Sequence, residues 1–227
     1  GLTKPFKCII DREEAIQLAI KELDQEVLLI AGDIIPDKYA AFSQEFYASI
    51  KEQFPLIITT MGNHEFYHGY LDYAYPNYKE WLGDNILKLN NSVHIHKDVK
   101  FIVSTLWSRV SPENKALIRD KLNDYHKIKS HSQEKINISV DDMNNLHRQS
   151  LEFIIEELEK PFTGKIVVMT HHIPSFESVS LDRRFSQLRE AFASNLDDII
   201  KDNPQINLWV HGHAHDFSEI KLYNTII

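Results

Sequence analysis

Short apolar runs closed by compact polar blocks recur along this chain, with longer stripes at helical spacing between them. Val27 to Ala31, Leu56 to Met61, Lys165 to Met169 and Ile206 to Val210 are too short and too β-prone for helices, and read as strands. Each feeds a polar block: Gly32-Asp33, Gly62-Asn63-His64-Glu65, Thr170-His171-His172 and His211-Gly212-His213-Ala214-His215. The helical stripes begin with Asp11 and Glu14, which resemble a capping box ahead of Ala15, Ile16, Ala19, Ile20 and Leu23. Asp37 to Gln53 carries Phe42, Phe46 and Ile50 on one face. Ser139 with Asp142 opens a helix bearing Met143, Leu146, Leu151, Ile154, Ile155 and Leu158. Roughly Arg183 to Lys201 reads as another, with Phe185, Leu188, Phe192, Leu196 and Ile199 inward. Val93 to Ile95, Lys97-Asp98 and Lys100 to Leu106 predict a β-hairpin, while Phe66 to Trp81, rich in tyrosine and broken by Pro76, predicts a loop and short helix. Short strands set among helices predict an α/β sheet whose strand ends converge along one edge.

Composition narrows the picture without redirecting it. A length of 227 residues predicts one domain over 1–227, and the polar stretch from Ser108 to Asn137, with one helix after Pro112, predicts an insertion at about 108–138. A hydrophobic content of 43% supports a core, and 26% charged residues is ordinary for a soluble protein. With 33 acidic against 25 basic side chains the net charge is −8, which disfavours long nucleic acid as a partner. The single Cys8 excludes an internal disulfide and a thiolate metal cluster. No apolar run is long enough to span a membrane, and no secretory-type leader opens the chain, so the cytoplasm is the expected compartment. Nothing in the sequence sets an oligomeric state.

The polar blocks carry the chemistry. Asp33, entering a turn after a strand, offers two oxygens that could bridge cations, although a turn or cap aspartate is the plain alternative. Asn63 offers a neutral amide oxygen, and His64 beside it cannot easily share the same metal, which leaves it to act on substrate as a proton donor or a stabiliser of developing negative charge. Successive strand residues point to opposite faces, so at most one of His171 and His172 is expected to be a ligand; His171 is chosen, and His172 is left to line the pocket, touch substrate or support a ligand. His213 and His215, two apart among small residues, can turn both rings to one side; His211 is the weaker candidate. One carboxylate, one amide and three imidazoles suit Mn, Fe or Zn, and a cation pair would generate hydroxide and clamp a phosphoryl group. The residues read as those of a metal-dependent hydrolase.

In these motifs the chain resembles the calcineurin-like metallophosphoesterases, whose signature runs D-x-H, G-D, G-N-H-[ED], H and G-H-x-H; the last four occur here in order. Thr105-Leu106-Trp107 with Asn123-Asp124-Tyr125 is similar to a bacterial branch whose substrates are often unassigned. The resemblance implies a four-layer α/β/β/α sandwich of two mixed sheets. It further implies one or two divalent ions (Mn, Fe or Zn) and hydrolysis of a small phosphate mono- or diester by metal-bound hydroxide. Asp33 would bridge the ions, with Asn63, His171 and His213 completing the second site and His215 binding the first. His64 would protonate or steady the leaving oxygen. One departure is plain: no D-x-H precedes Gly32-Asp33, and no histidine precedes His64. Either Asp11-Arg12-Glu13, after Phe6 to Ile10, substitutes with Glu13 in the histidine position, or the chain begins just past the motif and also stops early after Ile227. In the second case a single-metal site with weakened or lost turnover is expected. The rival reading is a non-catalytic scaffold of the same fold that binds a partner or ligand. A nuclease acting on DNA ends would need Arg183, Arg184 and Arg189 to face the pocket.

Overall fold

The computed structural model describes residues 26–36, 40–71, 77–131 and 136–227. The expected Asp11 to Leu23 helix and the Asp11-Arg12-Glu13 substitute lie outside the described residues, as do 37–39 at the expected start of the second helix and 72–76 around Pro76.

Successive side chains of the buried strands pack to opposite faces and sort the described chain into layers. Strands β1 (Val27–Ile30), β2 (Leu56–Thr60), β3 (Tyr78–Trp81) and β4 (Ile86–Asn90) form a four-stranded sheet in the order β1-β2-β4-β3, parallel except at β3. Strands β5 (Ser92–His96), β6 (Val99–Ser104), β7 (Lys165–Thr170), β8 (Ile206–His211), β9 (Lys221–Leu222) and β10 (Thr225–Ile226) form a six-stranded sheet in the order β5-β6-β7-β8-β10-β9. Within it β6, β7, β8 and β10 are parallel neighbours, and β5 and β9 run antiparallel at its edges. Leu56, Ile58, Leu87 and Leu89 of the first sheet meet Phe101, Val103, Val167 and Met169 of the second. The intervening residues face outward: Ile57 and Ile86 pack on Tyr47 and Ile50 of helix α1 (Ala40–Ile50), next to Phe54. On the other side Ile102, Ile166, Val168 and Trp209 pack on Ile154 and Leu158, with Leu196 and Ile200. The order is therefore helix, sheet, sheet, helix, as the sequence resemblance implied. Each fully buried aliphatic side chain contributes roughly 1.5–3 kcal/mol, so the inter-sheet layer and the helix-facing layers all hold the fold together.

Between β6 and the long helix lie two short helices, α2 (Lys115–Lys121) and α3 (Asp124–Lys127), where the sequence predicted one. The long helix α4 (Val140–Glu159) opens with the expected capping box: Ser139 Oγ accepts from Asp142 N–H at 3.1 Å, and Ser139 N–H donates to Asp142 Oδ2 at 2.9 Å. The hairpin of β5 and β6 also forms as predicted.

Two local expectations change. Residues 78–81, read as loop, form strand β3 because antiparallel pairing with β4 supplies a ladder that local propensity does not show. The single helix expected over 183–201 is instead α5 (Leu181–Arg184), a 3₁₀ turn at Arg189–Ala191 and α6 (Asp197–Asp202). Its middle is extended because Ile173 N–H donates to Phe192 O at 3.1 Å and Ser194 N–H donates to Ile173 O at 3.0 Å. Those bonds take groups a continuous helix would use, and Phe185, expected inward, is 81% exposed.

Candidate metal centre

Parallel strands present their C-terminal ends together, and here the ends of β1, β2, β7 and β8 carry the four polar blocks. Gly32 and Asp33 both have positive φ, +82° and +59°. A Cβ on Gly32 would fall 2.4 Å from Gly62 N, so the two turns touch only because that residue is glycine. Glu65, buried, fastens them: Oε2 accepts Asp33 N–H at 2.9 Å and Gly62 N–H at 2.6 Å, while Oε1 accepts Ile34 N–H at 2.7 Å. Burial, and then the charge of Asp33, push the Glu65 carboxyl up to about 7, against the pull of Lys88, His171 and the backbone N–H bond.

Ligand-type atoms then crowd around one point. His171 Nε2 lies 3.0 Å from Asn63 Oδ1, 3.0 Å from His213 Nδ1 and 3.4 Å from Asp33 Oδ2. Asp33, His171 and His213 offer ligand atoms all within 4.8 Å of one another. A cation bound at roughly 2.0–2.2 Å by several ligands sets those atoms roughly 3–3.5 Å apart, which is the spacing seen. The tautomer fits too. His171 Nδ1 is 2.6 Å from the Ala31 carbonyl, which can only accept, so Nδ1 carries a proton and Nε2 faces the cluster. A Cβ on Gly62 would meet Asp33 Oδ1 at 2.2 Å and His171 Cε1 at 2.5 Å. The donor set and its tight cradle thus fit a divalent cation.

Charge at the cluster follows from burial and pairing. Burial acts against ionised Asp33, yet the neighbouring His171, His64 and His213 hold its carboxyl well below the usual range. Burial would lower His171, but Asp33 raises it overall. Burial, then the His171 charge, push His213 down to about 3, leaving it a neutral donor at ordinary pH. His64 is lowered chiefly by burial.

The remaining predicted residues fall around this ring. His64 N–H donates to Asp33 Oδ1 at 2.9 Å; its half-exposed ring stands with Nδ1 4.0 Å from Asp33 Oδ2 and lies against Tyr67, centroids 4.4 Å apart. His215 is exposed and lines, with His213 and Asp33, a hollow of about 360 Å³ that His211 also borders. It does not join the close group of Asp33, His171 and His213. A larger hollow, about 730 Å³ between α1 and β4, touches Glu65 but none of the clustered ligand atoms. His172 is fully buried, its ring 4.3 Å from that of His213 and 5.3 Å from that of Trp107. Burial sets the His172 ring behind that of His213. The Leu106 and Trp107 backbones both take positive φ, a strained conformation for bulky residues, and buried His147 Nδ1 reaches both carbonyls at 3.2 and 3.1 Å.

Sequence reasoning gave no role to Glu65 or Tyr67, and quoted Asp124 only as part of a motif. Asp124 Oδ1 accepts from Asn63 Nδ2 at 2.8 Å and from Tyr67 Oη at 2.7 Å. Of the three arginines a nuclease would need, Arg183 stands at the rim of the hollow, 3.9 Å from Asp216, while Arg184 and Arg189 bond within their own segment. Arg183 donates to Ala214 O, Arg184 bonds Glu177 and Val179 O, and Arg189 donates to Arg184 O and lies over the Phe176 ring.

The chain is similar to known proteins in sequence and in fold. The sequence model of a family described as calcineurin-like phosphoesterase matches residues 6–217, and the chain belongs to that family. It is 30% identical over 217 residues to an uncharacterized protein of Acanthamoeba polyphaga mimivirus, covering 88% of this chain and 75% of that one. Its fold is similar to that of the phosphopantetheinyl hydrolase of Mycobacterium tuberculosis, with a TM-score of 0.58 at 11% identity over 92% of this chain and 81% of the other.

Proposed function

We propose that this member of the calcineurin-like phosphoesterase family hydrolyses a phosphate mono- or diester of a small molecule with the help of one or two divalent cations of the Mn, Fe or Zn type. The supporting observation is the convergence of Asp33, Asn63 and His213 on His171 Nε2, four ligand atoms from four separate strand ends. When bound, a divalent cation supplies Lewis acidity, polarising water and neutralising phosphoryl charge. The chain's own residues do the rest. Asp33 brings the negative charge, Asn63 a neutral oxygen, and His171 and His213 imidazole nitrogens, with His215 available at the rim of the hollow. His64, backed by Tyr67 and half-exposed, is placed to donate a proton or hydrogen bond to the departing oxygen without joining the ligand cluster. The hollow suits a small phosphorylated compound.

The test is hydrolysis of a nitrophenyl phosphate ester with added Mn²⁺. His64→Ala should remove most turnover and leave metal content intact, whereas Asp33→Asn should lower both. Unchanged activity in the first variant rejects the role of His64. Complete indifference of the unmodified protein to Mn²⁺ would favour a scaffold that only binds.

A further inference from the structure

We propose that Asp124, delivered by the segment between β6 and α4, is a positioning residue that fixes which end of the Asn63 amide faces the cation; the inference rests on the metal-site reading above. An asparagine amide has nearly the same shape in either flip, so its hydrogen-bond partners decide its orientation. Asp124 Oδ1 can only accept, and it lies 2.8 Å from Asn63 Nδ2. The NH₂ end is thereby committed away from the cluster, and Oδ1 turns to within 3.0 Å of His171 Nε2. The opposite flip would point N–H donors at the position a cation must occupy. The same Asp124 oxygen takes the Tyr67 hydroxyl at 2.7 Å, and the Tyr67 ring supports His64 at 4.4 Å. One carboxylate, 61 residues from Asn63, thus orients a ligand and steadies the proposed proton donor.

Two features argue against a merely space-filling role. Asp124 is buried, and its second oxygen, Oδ2, has no hydrogen-bond partner among the described residues. Burying a half-satisfied carboxylate is unfavourable, and an apolar side chain or a neutral amide would fill the space at lower cost. Its supports are also built: Asn137 Nδ2 donates to Tyr125 O at 3.0 Å, Tyr125 Oη contacts Met143 Sδ at 3.1 Å, and His68 N–H donates to Lys127 O at 2.7 Å. A carboxylate hydrogen-bonded to the NH₂ end of a ligating amide strengthens its oxygen as a ligand as well as aiming it.

The experiment measures Mn²⁺ affinity by titration calorimetry and, in metal-free protein, hydrogen exchange of the Asn63 side-chain amide by NMR. Asp124→Ala should weaken Mn²⁺ binding roughly 10–100-fold and speed exchange of that amide. The swapped pair Asn63→Asp with Asp124→Asn should recover most of the affinity, because either oxygen of the new carboxylate can face the cation while the new amide at position 124 donates to the other. A folded Asp124→Ala chain with unaltered affinity and unaltered exchange overturns the proposal. If that variant does not fold, Asp124→Asn, which keeps the shape and loses the charge, is measured instead. A tenfold loss there supports the role, and wild-type affinity refutes it. An unmodified protein that takes up no Mn²⁺, yet shows Asp124-dependent protection of the Asn63 amide, sinks the preceding reading and leaves the positioning standing.

Discussion

The carboxylate of Glu65 holds the backbone of Asp33 from 32 residues further along the chain, with Asp33 N–H 2.9 Å from Oε2. Because Ile34 N–H and Gly62 N–H bond the same side chain, a single residue joins the turn after β1 to the turn after β2. Glu65→Ala would leave three amides without their acceptor, each worth about 1–3 kcal/mol when buried. Urea unfolding should show a loss of about 3 kcal/mol or more. A loss under about 1 kcal/mol would mean that water replaces the carboxylate without penalty.

Gly62→Ala tests the tightness of the cradle. The new methyl would fall 2.2 Å from Asp33 Oδ1 and 2.5 Å from His171 Cε1, so both side chains must shift to admit it. Overpacking of this kind is unfavourable by about 1–3 kcal/mol, and the displaced ligands should bind Mn²⁺ at least tenfold more weakly. Native affinity in this variant would show that the turns are looser than described.

Lys100 and Glu157 tie β6 to α4 far from the site. Lys100, 5% exposed, places Nζ 2.9 Å from Glu157 Oε2 and donates to Glu157 O at 2.6 Å. Lys100→Ala should lower stability by about 2 kcal/mol, below the usual figure for a broken buried pair because Lys160 still attends Glu157. Burial raises the Glu157 carboxyl, but bonds from Lys160 and Lys100 outweigh it, so the folded value lies below the ordinary 4.5. A depressed carboxylate stabilises the fold above its unfolded value, and that contribution fades as pH falls through the folded value. Glu157→Gln should therefore flatten the acid limb of a stability–pH curve below about pH 4.5; an unchanged limb would assign it to other carboxylates.

Ser139→Ala removes the side-chain acceptor that caps α4. Thermal unfolding should register about 1 kcal/mol of lost stability, with metal affinity unaffected.

Much of the architecture was legible because it is local. Ile57 alternating with Leu56 and Ile58 announces a strand buried on both faces, and the Ser139 and Asp142 pair announces the start of α4. The G-D, G-N-H-E and H-G-H-A-H blocks announced the candidate residues, and the fold carries Asp33, Asn63, His171 and His213 to one place. What stayed hidden depends on contacts between distant segments. The break at Phe192 to Ser194 follows from bonds to Ile173, which no window of sequence around Phe185 contains. The Asn63 to Asp124 bond spans 61 residues, and the burial of His172 behind His213 is set by Trp107 on another strand end. Strand polarity alone separated His171 from His172; only packing showed where the second ring goes.

The central claim is that four side chains from distant turns enclose one cation, and anomalous scattering from crystals grown with Mn²⁺ tests it most directly. The account predicts a manganese peak among Asp33 Oδ2, Asn63 Oδ1, His171 Nε2 and His213 Nδ1. Ordered protein crystals with saturating Mn²⁺ and no peak there, or a peak held by other residues alone, would contradict it.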